Sequence, residues 1–416
     1  DDLIQIVANA ADGDIIEVEA GVHKANSDYI RIIDKSVTIK AADDAEEMPR
    51  VYFERINLEN SESGTTPVGV TLDGIEFSGY QVDSVTGEED TGGDLVGEYF
   101  INLDGTLKEF SDIVVNNCVI RNVHVTLVRG DRASYTGNGF DFDSCLVYDV
   151  RDANDNNYGP FRVKKNLTFE YLKVSNSTFI NPVNEFINCE DLADIPLEIK
   201  VENCTFYNFG GKDPGSYFFD FENVTDLDFG LTSCIFAKTN DDPTADPPVT
   251  VHGFRFPEDG PNIYTSIVTT AFASDVNFTE GGVDDVIWDQ KNYVYADVDP
   301  GFANPENKDF TLPEDSELFN EQGGLIGDPR WHPEIENNIS DAETHSFGIY
   351  PNPANNYIIL ESDQEQQVEI VSILGETVKS VNLQPGINHI DVNPFQPGVY
   401  FVVSKANKGV SKFVVR

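Results

Sequence analysis

One short phrase returns five times in the middle of the chain. It reads Asn117-Cys118-Val119-Ile120, Ser144-Cys145-Leu146-Val147, Asn176-Ser177-Thr178-Phe179, Asn203-Cys204-Thr205-Phe206 and Ser233-Cys234-Ile235-Phe236, with second positions 27, 32, 27 and 30 residues apart. Self-similarity at such a period marks a chain folded as stacked units. Each copy follows an alternating run, such as Ile113-Val114-Val115, Phe140-Asp141-Phe142 or Leu197-Glu198-Ile199-Lys200-Val201, and a period of two is that of a strand. A second strand recurs between copies, at Tyr99-Phe100-Ile101, Phe161-Arg162-Val163, Glu185-Phe186-Ile187, Tyr217-Phe218-Phe219 and Gly253-Phe254-Arg255-Phe256. These intervals hold no helical pattern, so the crossover helix that a βαβ sheet needs is missing.

Strands at this spacing fit the coils of a parallel β-helix. Equivalent residues of a solenoid lie above one another, so Cys118, Cys145, Ser177, Cys204 and Cys234 are expected to form an inward ladder of small, inert side chains. The Asn or Ser before each is expected to bond the turn backbone. That placement accounts for six Asn-x-Ser/Thr triplets, Asn166, Asn176 and Asn203 among them, without glycosylation. Five cysteines with no CxxC spacing imply neither a zinc site nor a complete disulfide framework.

A solenoid needs caps. Leu3, Ile4, Ile6, Val7 and Ala10 have helical spacing and end at Asp12-Gly13-Asp14, which predicts a short amphipathic helix over the first coil. The runs Ile15 to His23 and Ile32 to Lys40 that follow resemble the opening coil of pectate-lyase-like right-handed β-helices. The resemblance continues through the repeats to Asp299-Pro300-Gly301-Phe302, Asp309-Phe310-Thr311-Leu312 and Gly327-Asp328-Pro329-Arg330-Trp331. That ending looks like the final coil of uncharacterised domains in polysaccharide-utilisation proteins of Bacteroidota. The expected organisation is an all-β chain: a right-handed parallel β-helix over residues 1–334, a polar linker over 335–345, and a small antiparallel β-sandwich over 346–416.

The sandwich is read from short alternating strands such as Tyr357-Ile358-Ile359-Leu360 and Val399-Tyr400-Phe401-Val402-Val403. Within it, Ile349-Tyr350-Pro351-Asn352-Pro353-Ala354, Gly398-Val399-Tyr400 and Lys412-Phe413-Val414-Val415-Arg416 closely resemble the type A C-terminal sorting domain of the type IX secretion system. The resemblance implies an origin in Bacteroidota, contact with that secretion machinery, and a final place outside the cell or on its outer surface. Asp1 and Asp2 are not the basic start of a signal peptide, so any signal is expected to have been removed or omitted.

The chain has 27 basic and 73 acidic residues, a formal net charge of -46. Such a surface repels nucleic acid and anionic membranes, and no apolar run is long enough to span a bilayer as a helix, so neither nucleic acid nor membrane insertion is expected. The acidity fits either a salty habitat or the recruitment of divalent cations. Residues 347–416 carry 5 basic and 6 acidic residues, which leaves 22 and 67 upstream. Nearly all the acidity therefore belongs to the β-helix.

No GxSxG, HExxH or P-loop pattern occurs. Two chemistries on polysaccharide stay open. Hydrolysis needs two carboxylates flanking the bond, and Asp141 and Asp143 share a strand face, but acid pairs are too abundant here to single one out. Elimination from a uronate needs a base, usually Lys or Arg in the resembled families, and often Ca²⁺ to neutralise the substrate carboxylate. Residues 121–173 hold eight basic and seven acidic residues, so this stretch is near neutral inside a strongly acidic domain. If it is a lyase, Arg129, Arg162 and Lys164 are the candidates, Arg129 and Arg162 clamping carboxylates from neighbouring coils. Replacing both by Ala is then expected to weaken binding or turnover and leave the melting point nearly unchanged. Arg132, Lys165, Tyr135 and Tyr158 are candidate glycan contacts, the tyrosines as platforms for sugar rings. The loop bearing Asp152, Asn154, Asp155 and Asn156 reads either as a Ca²⁺ site or as an Asx-rich turn. Arg129-Gly130-Asp131 matches an integrin-binding tripeptide by chance, and the two tryptophans, Trp288 and Trp331, are expected to pack. The favoured reading is a polysaccharide-binding β-helix; a Ca²⁺-assisted lyase and a non-catalytic adhesin or spacer are the alternatives.

Overall fold

The computed structural model describes residues 2–82, 89–90, 96–150, 159–164, 167–182, 184–190, 196–211, 215–241, 244, 249–257, 262–320, 322–333, 349–354, 356–362, 365–372, 377–396, 398–404 and 410–416. The chain divides into two compact units, Asp1–Pro333 and Glu334–Arg416. In the first, successive coils visit three sheets in turn. Among the described residues the first sheet runs from Ile15–Val18 to Gln290–Asn292 and the second from Val22–Ala25 to Tyr295–Val298, each with ten strands, while the third has eight, from Ile30–Ile33 to His252–Arg255. Neighbouring strands are parallel and come from consecutive coils. This is a parallel β-helix.

The repeated phrase is its corner. Between the first and second sheets a single residue takes the left-handed conformation: Asn117, Ser144, Asn176, Asn203 and Ser233 have φ of 48, 54, 48, 52 and 54°. Short polar side chains tolerate that region best after glycine. They also tie the corners together, as Asn203 Nδ2 donates to Asn176 Oδ1 at 3.1 Å and Asn176 Nδ2 to Asp143 Oδ1 at 2.7 Å. The next residue turns inward. Cys118, Cys145, Ser177, Cys204 and Cys234 are all buried, and each carbonyl accepts from the coil above, as in Leu146 N to Cys118 O at 2.9 Å and Ile235 N to Cys204 O at 2.8 Å. None of the five cysteines is in a disulfide, and all five are buried.

Phenylalanines fill the space behind the ladder. Phe179, Phe206, Phe236 and Phe272 pair in register and stack with centroids 5.5, 4.6 and 5.1 Å apart. The helix Asp2–Asn9 closes one end with Leu3, Ile4 and Val7. Its last carbonyls are met by the buried Lys35, whose Nζ donates to Val7 O at 2.6 Å and Ala10 O at 2.8 Å, a cation where the helix dipole favours one. At the other end Phe278, Val283, Val286 and Trp288 pack onto the core.

The ending from Asp299 to Trp331 corrects the sequence expectation, because it is not a final coil. It folds back over the outside of the second sheet. There Phe310 joins Ile180, Tyr207, Ala237 and Ala273, and Leu312, Leu318 and Ile326 join Ile235 and Ala271. Asp328 Oδ2 accepts from Thr178 Oγ1 at 2.6 Å, Trp331 Nε1 donates to the same hydroxyl at 2.7 Å, and Arg330 reaches Ser144 O at 2.7 Å. The physical reason is that the outer face of these strands is itself apolar and gains by being covered.

The second unit holds a three-stranded sheet (Ile349–Tyr350, Tyr357–Ser362, Gly386–Asp391) and a four-stranded one (Gln366–Ser372, Thr377–Leu383, Gly398–Ser404, Val410–Val415), antiparallel throughout. Ile358, Leu360, Val368, Ile370, Val402 and Phe413 form its core.

Candidate functional site

A single row of polar residues runs the length of the third sheet. Arg31, Asn57, Asn102, Arg129, Arg162, Asn188, Asp220 and Arg255 pair in succession through all eight strands. Each sits between two apolar or small neighbours, as in Ile56-Asn57-Leu58, Ile101-Asn102-Leu103 and Phe219-Asp220-Phe221. The period of two sends those neighbours into the core and the polar side chain outward. An outward residue is normally wet, yet Asn57, Asn102, Arg129 and Asp220 are 1, 2, 9 and 1% exposed. They form a floor overhung by larger side chains in the flanking rows.

Beside the floor, Tyr29, Arg55 and Tyr99 alternate as ring, guanidinium and ring. Arg55 lies over Tyr29 at 4.0 Å and over Tyr99 at 5.1 Å, and Arg129 lies over Tyr99 at 4.5 Å, a favourable stacking for partly desolvated cations. At the far end Arg255 lies over Tyr217 at 4.9 Å. Five of the ten arginines before residue 334 thus face outward from this sheet, which concentrates positive charge in an acidic domain.

The floor is held by hydrogen bonds of fixed sense. Glu59 Oε1 accepts from Arg31 Nη1 at 2.6 Å and from Asn57 Nδ2 at 3.0 Å, and Asn57 Oδ1 accepts from Asn102 Nδ2 at 3.1 Å. Asp131 bridges two coils, accepting from Arg129 Nε at 2.8 Å and Arg162 Nε at 2.7 Å. Burial would raise the Asp131 carboxyl, but the hydrogen bonds from Arg162 and Arg129 outweigh it and hold it below the ordinary carboxylate value. Asp220 accepts from Asn188 Nδ2 at 3.3 Å and Arg255 Nε at 2.8 Å. Two floor atoms, Asn102 Oδ1 and Arg129 Nη1, are buried without a hydrogen-bond partner among the described residues. Nearby, burial pushes the Glu185 carboxyl up, with Asp220 adding to the effect and Lys164 opposing it.

The sequence candidates divide sharply. Arg129 and Arg162 lie opposite each other on neighbouring strands, but they are not an open clamp: their Nε groups already hold Asp131. Lys164 lies two residues beyond Arg162 on the same strand, half-buried, and Arg132 is exposed in the turn after the preceding strand. Tyr135 is no platform. It is 1% exposed, its hydroxyl donates to Leu103 O at 2.8 Å, and burial pushes its phenol well up. Tyr158, Lys165, Asp152, Asn154, Asp155 and Asn156 lie outside the described residues, so the Ca²⁺ loop remains an expectation. Among the described residues no group of three or more His, Cys, Asp or Glu is arranged to hold a metal ion. The Arg129-Gly130-Asp131 tripeptide is in or beside a buried strand. Asp143 serves its corner, accepting from Ser175 Oγ at 2.6 Å and Asn176 Nδ2 at 2.7 Å.

Sequence reasoning missed Tyr29, Arg31, Arg55, Asn57, Tyr99, Asn102, Asn188, Asp220 and Arg255. The signal was an apolar-polar-apolar triplet in each coil, hidden because the polar member changes identity from rung to rung. A depression of about 730 Å³ lies along the first sheet and is lined by Glu109, Asn138, Thr168, Glu170, Glu198, Asp226 and Asp228 among others.

Residues 348–416 match the secretion system C-terminal sorting domain, and residues 199–331 match a domain of unknown function (DUF5123). No curated protein matches the chain. Among solved structures that are similar is the structure of the PL6 family alginate lyase AlyGC, at 14% identity and a TM-score of 0.29, covering 71% of this chain and 35% of that one. The chain spans about a third of that protein's length, and a likeness so distant has no bearing on activity. The sorting domain marks a protein exported by the type IX secretion system to the cell surface or the extracellular space. Among the described residues no helix is long and apolar enough to cross a membrane.

Proposed function

We propose that residues 1–333 bind a polysaccharide lengthwise along the outer face of the third sheet, in a secreted or surface-held protein of Bacteroidota. The observation that supports this reading is the continuous polar floor. Its rungs repeat at the strand spacing of about 4.8 Å, close to the length of one sugar unit in an extended chain. Ligand sites carry a few convergent polar groups that fix orientation, and the half-buried Tyr217 gives a ring at the side of the floor.

A second reading is Ca²⁺-assisted elimination from a uronate-containing glycan. It is favoured by Lys164 and by Glu185, which precedes the neighbouring strand Ile187–Glu190 and whose carboxyl burial pushes up while Lys164 opposes the shift. Lys164 would take the proton beside the uronate carboxyl, the adjacent glycosidic C–O bond would break as the double bond forms, and the carboxylic acid form of Glu185 would give its proton to the leaving oxygen. An adhesin or spacer would need the solenoid alone.

The test incubates the full chain with pectin, alginate, ulvan, glycosaminoglycans and neutral plant glycans, with and without Ca²⁺. Saturable binding with no new chain ends supports the proposed function. A rise in ultraviolet absorbance from unsaturated uronates replaces it with the lyase, and neither signal leaves the spacer.

A further inference from the structure

Asn102 Oδ1 and Arg129 Nη1 are of opposite kinds and lie on adjoining rungs. Asn102 pairs with Arg129 in the register of the third sheet, and both residues are at least nine-tenths buried. The polarity of Asn102 is fixed from a distance. Glu59 only accepts, so Asn57 turns its amide nitrogen to Glu59 and its oxygen to Asn102. Asn102 must then give its own nitrogen to Asn57, which leaves Oδ1 as the orphan. On the next rung the guanidinium of Arg129 can only donate. Its Nε is committed to Asp131, and Nη1 is the orphan.

An acceptor and a donor one rung apart are satisfied together by a group that both donates and accepts. A hydroxyl does this. A carboxylate does not, because its oxygens would meet the lone pairs of Asn102 Oδ1, and the neighbouring Asp131 already supplies the anion for Arg129 and Arg162. We infer that the step between Asn102 and Arg129 is a subsite for an uncharged sugar hydroxyl, so that the trough selects a neutral sugar over a uronate at this rung. The inference rests on the glycan-binding reading and sharpens it, since it points away from the uronate polymers an eliminating enzyme would need. Leaving two buried polar atoms unpaired is costly, and a ligand hydroxyl relieves both.

The experiment measures binding of the full chain to pectate and alginate oligosaccharides and to the same oligosaccharides after carboxyl reduction, which makes each sugar neutral without changing its linkage. Xylan and galactan oligosaccharides complete the set. High salt screens the general repulsion between this acidic protein and a polyanion, so a remaining preference belongs to the site. The expected result is tighter binding of a neutral member than of its acidic parent. Asn102→Ala should weaken the neutral ligand about threefold to tenfold, as for one hydrogen bond, and leave the acidic parent unchanged; Arg129→Lys, which keeps the charge beside Asp131, should do the same. Lys200→Ala, on the outer face of the first sheet, is the control and should bind as the unaltered chain does. Melting points identify any variant that fails to fold, and the acid-to-neutral comparison needs no variant. Tighter binding of the acidic parent at high salt overturns the inference. So does neutral binding indifferent to Asn102→Ala, which would mean that a water alone fills the step, and in both cases the glycan-binding reading stands. Binding of no member of the set overturns that reading and the subsite with it.

Discussion

Arg162 donates through Nε to Oδ2 of Asp131, one coil away, at 2.7 Å, and neither side chain is more than a fifth exposed. Arg129 takes the other carboxylate oxygen. The double change of Arg129 and Arg162 to Ala, which sequence alone expects to leave the melting point nearly unchanged, should instead lower it, because it strands a buried carboxylate. Removing one partner of a buried pair costs about 3–5 kcal/mol. Asp131→Asn should cost stability in that range in urea unfolding at pH 7.

The same variant carries a pH signature. The folded Asp131 carboxyl lies below its unfolded value, so its stabilisation is fully present above the unfolded value of about 3.9 and is lost as pH falls through the lower folded value. The gap in unfolding free energy between the unaltered chain and Asp131→Asn should therefore be constant from neutral pH down to about pH 4 and close below it. A gap that holds at pH 2 would show that shape, and not charge, sets the cost.

The inward cysteine ladder leads to a prediction about reactivity. Burial pushes the Cys118 thiol up to about 12 and those of Cys145 and Cys204 well above their ordinary value, and the thiolate is the reactive form. An aromatic disulfide reagent at pH 8 should label none of the five cysteines in the native protein and all five in denaturant. Ser177 stands at a ladder position and donates to Ser175 O at 2.6 Å, as Cys204 Sγ does to Glu202 O at 3.2 Å. Cys204→Ser should thus cost less than about 1.5 kcal/mol, where Cys204→Leu, overfilling a closed corner, should cost about 1–3.

That ladder was legible in the sequence because it repeats one kind of residue at one place. Small residue after Asn or Ser is a local rule, set by a left-handed corner and a narrow interior, and it survives every change of coil length. The polar floor obeys an equally strict period, but its members are Arg, Asn or Asp, and what they share is a register across strands about 30 residues apart. Tyr135 shows the opposite failure. Its loop position suggested exposure, and only the third dimension reveals Leu103 beneath it. The fold-back of residues 299–333 was hidden for the same reason: the apolar outer face it covers, with Ile180, Tyr207 and Ile235, reads in one dimension as ordinary alternation in a buried strand.

Lys35 offers a test at the amino-terminal cap. Its ammonium is the partner of three carbonyls at the end of the first helix, and burial lowers its pKa, with Asp14 opposing. Lys35→Met preserves the apolar stem but leaves those carbonyls unmet. The expected loss is about 1–3 kcal/mol, with faster amide exchange in residues 2–10 and little change in the central coils. A loss spread evenly over the solenoid would mean that the helix is not an independently fraying cap.

The fold-back segment should open as a unit. Phe310 is wholly buried against Tyr207, Phe302 and Trp331, with centroids 5.1, 5.2 and 5.6 Å away, while the solenoid beneath keeps its own hydrogen bonds and its own phenylalanine stack. Phe310→Ala should cost about 3–5 kcal/mol where the aromatic cluster is lost, but that cost can be escaped by releasing the segment, since the strands below do not depend on it for their ladders. Hydrogen exchange should therefore accelerate across residues 302–333 together, and the Asp328–Thr178 and Trp331–Thr178 contacts should fail with them. Protection in the strand Thr205–Phe209, which pairs with coils on both sides, should persist. Uniform acceleration through that strand as well would show that the outer covering and the inner core unfold in one step, and that the segment is part of the solenoid's own stability.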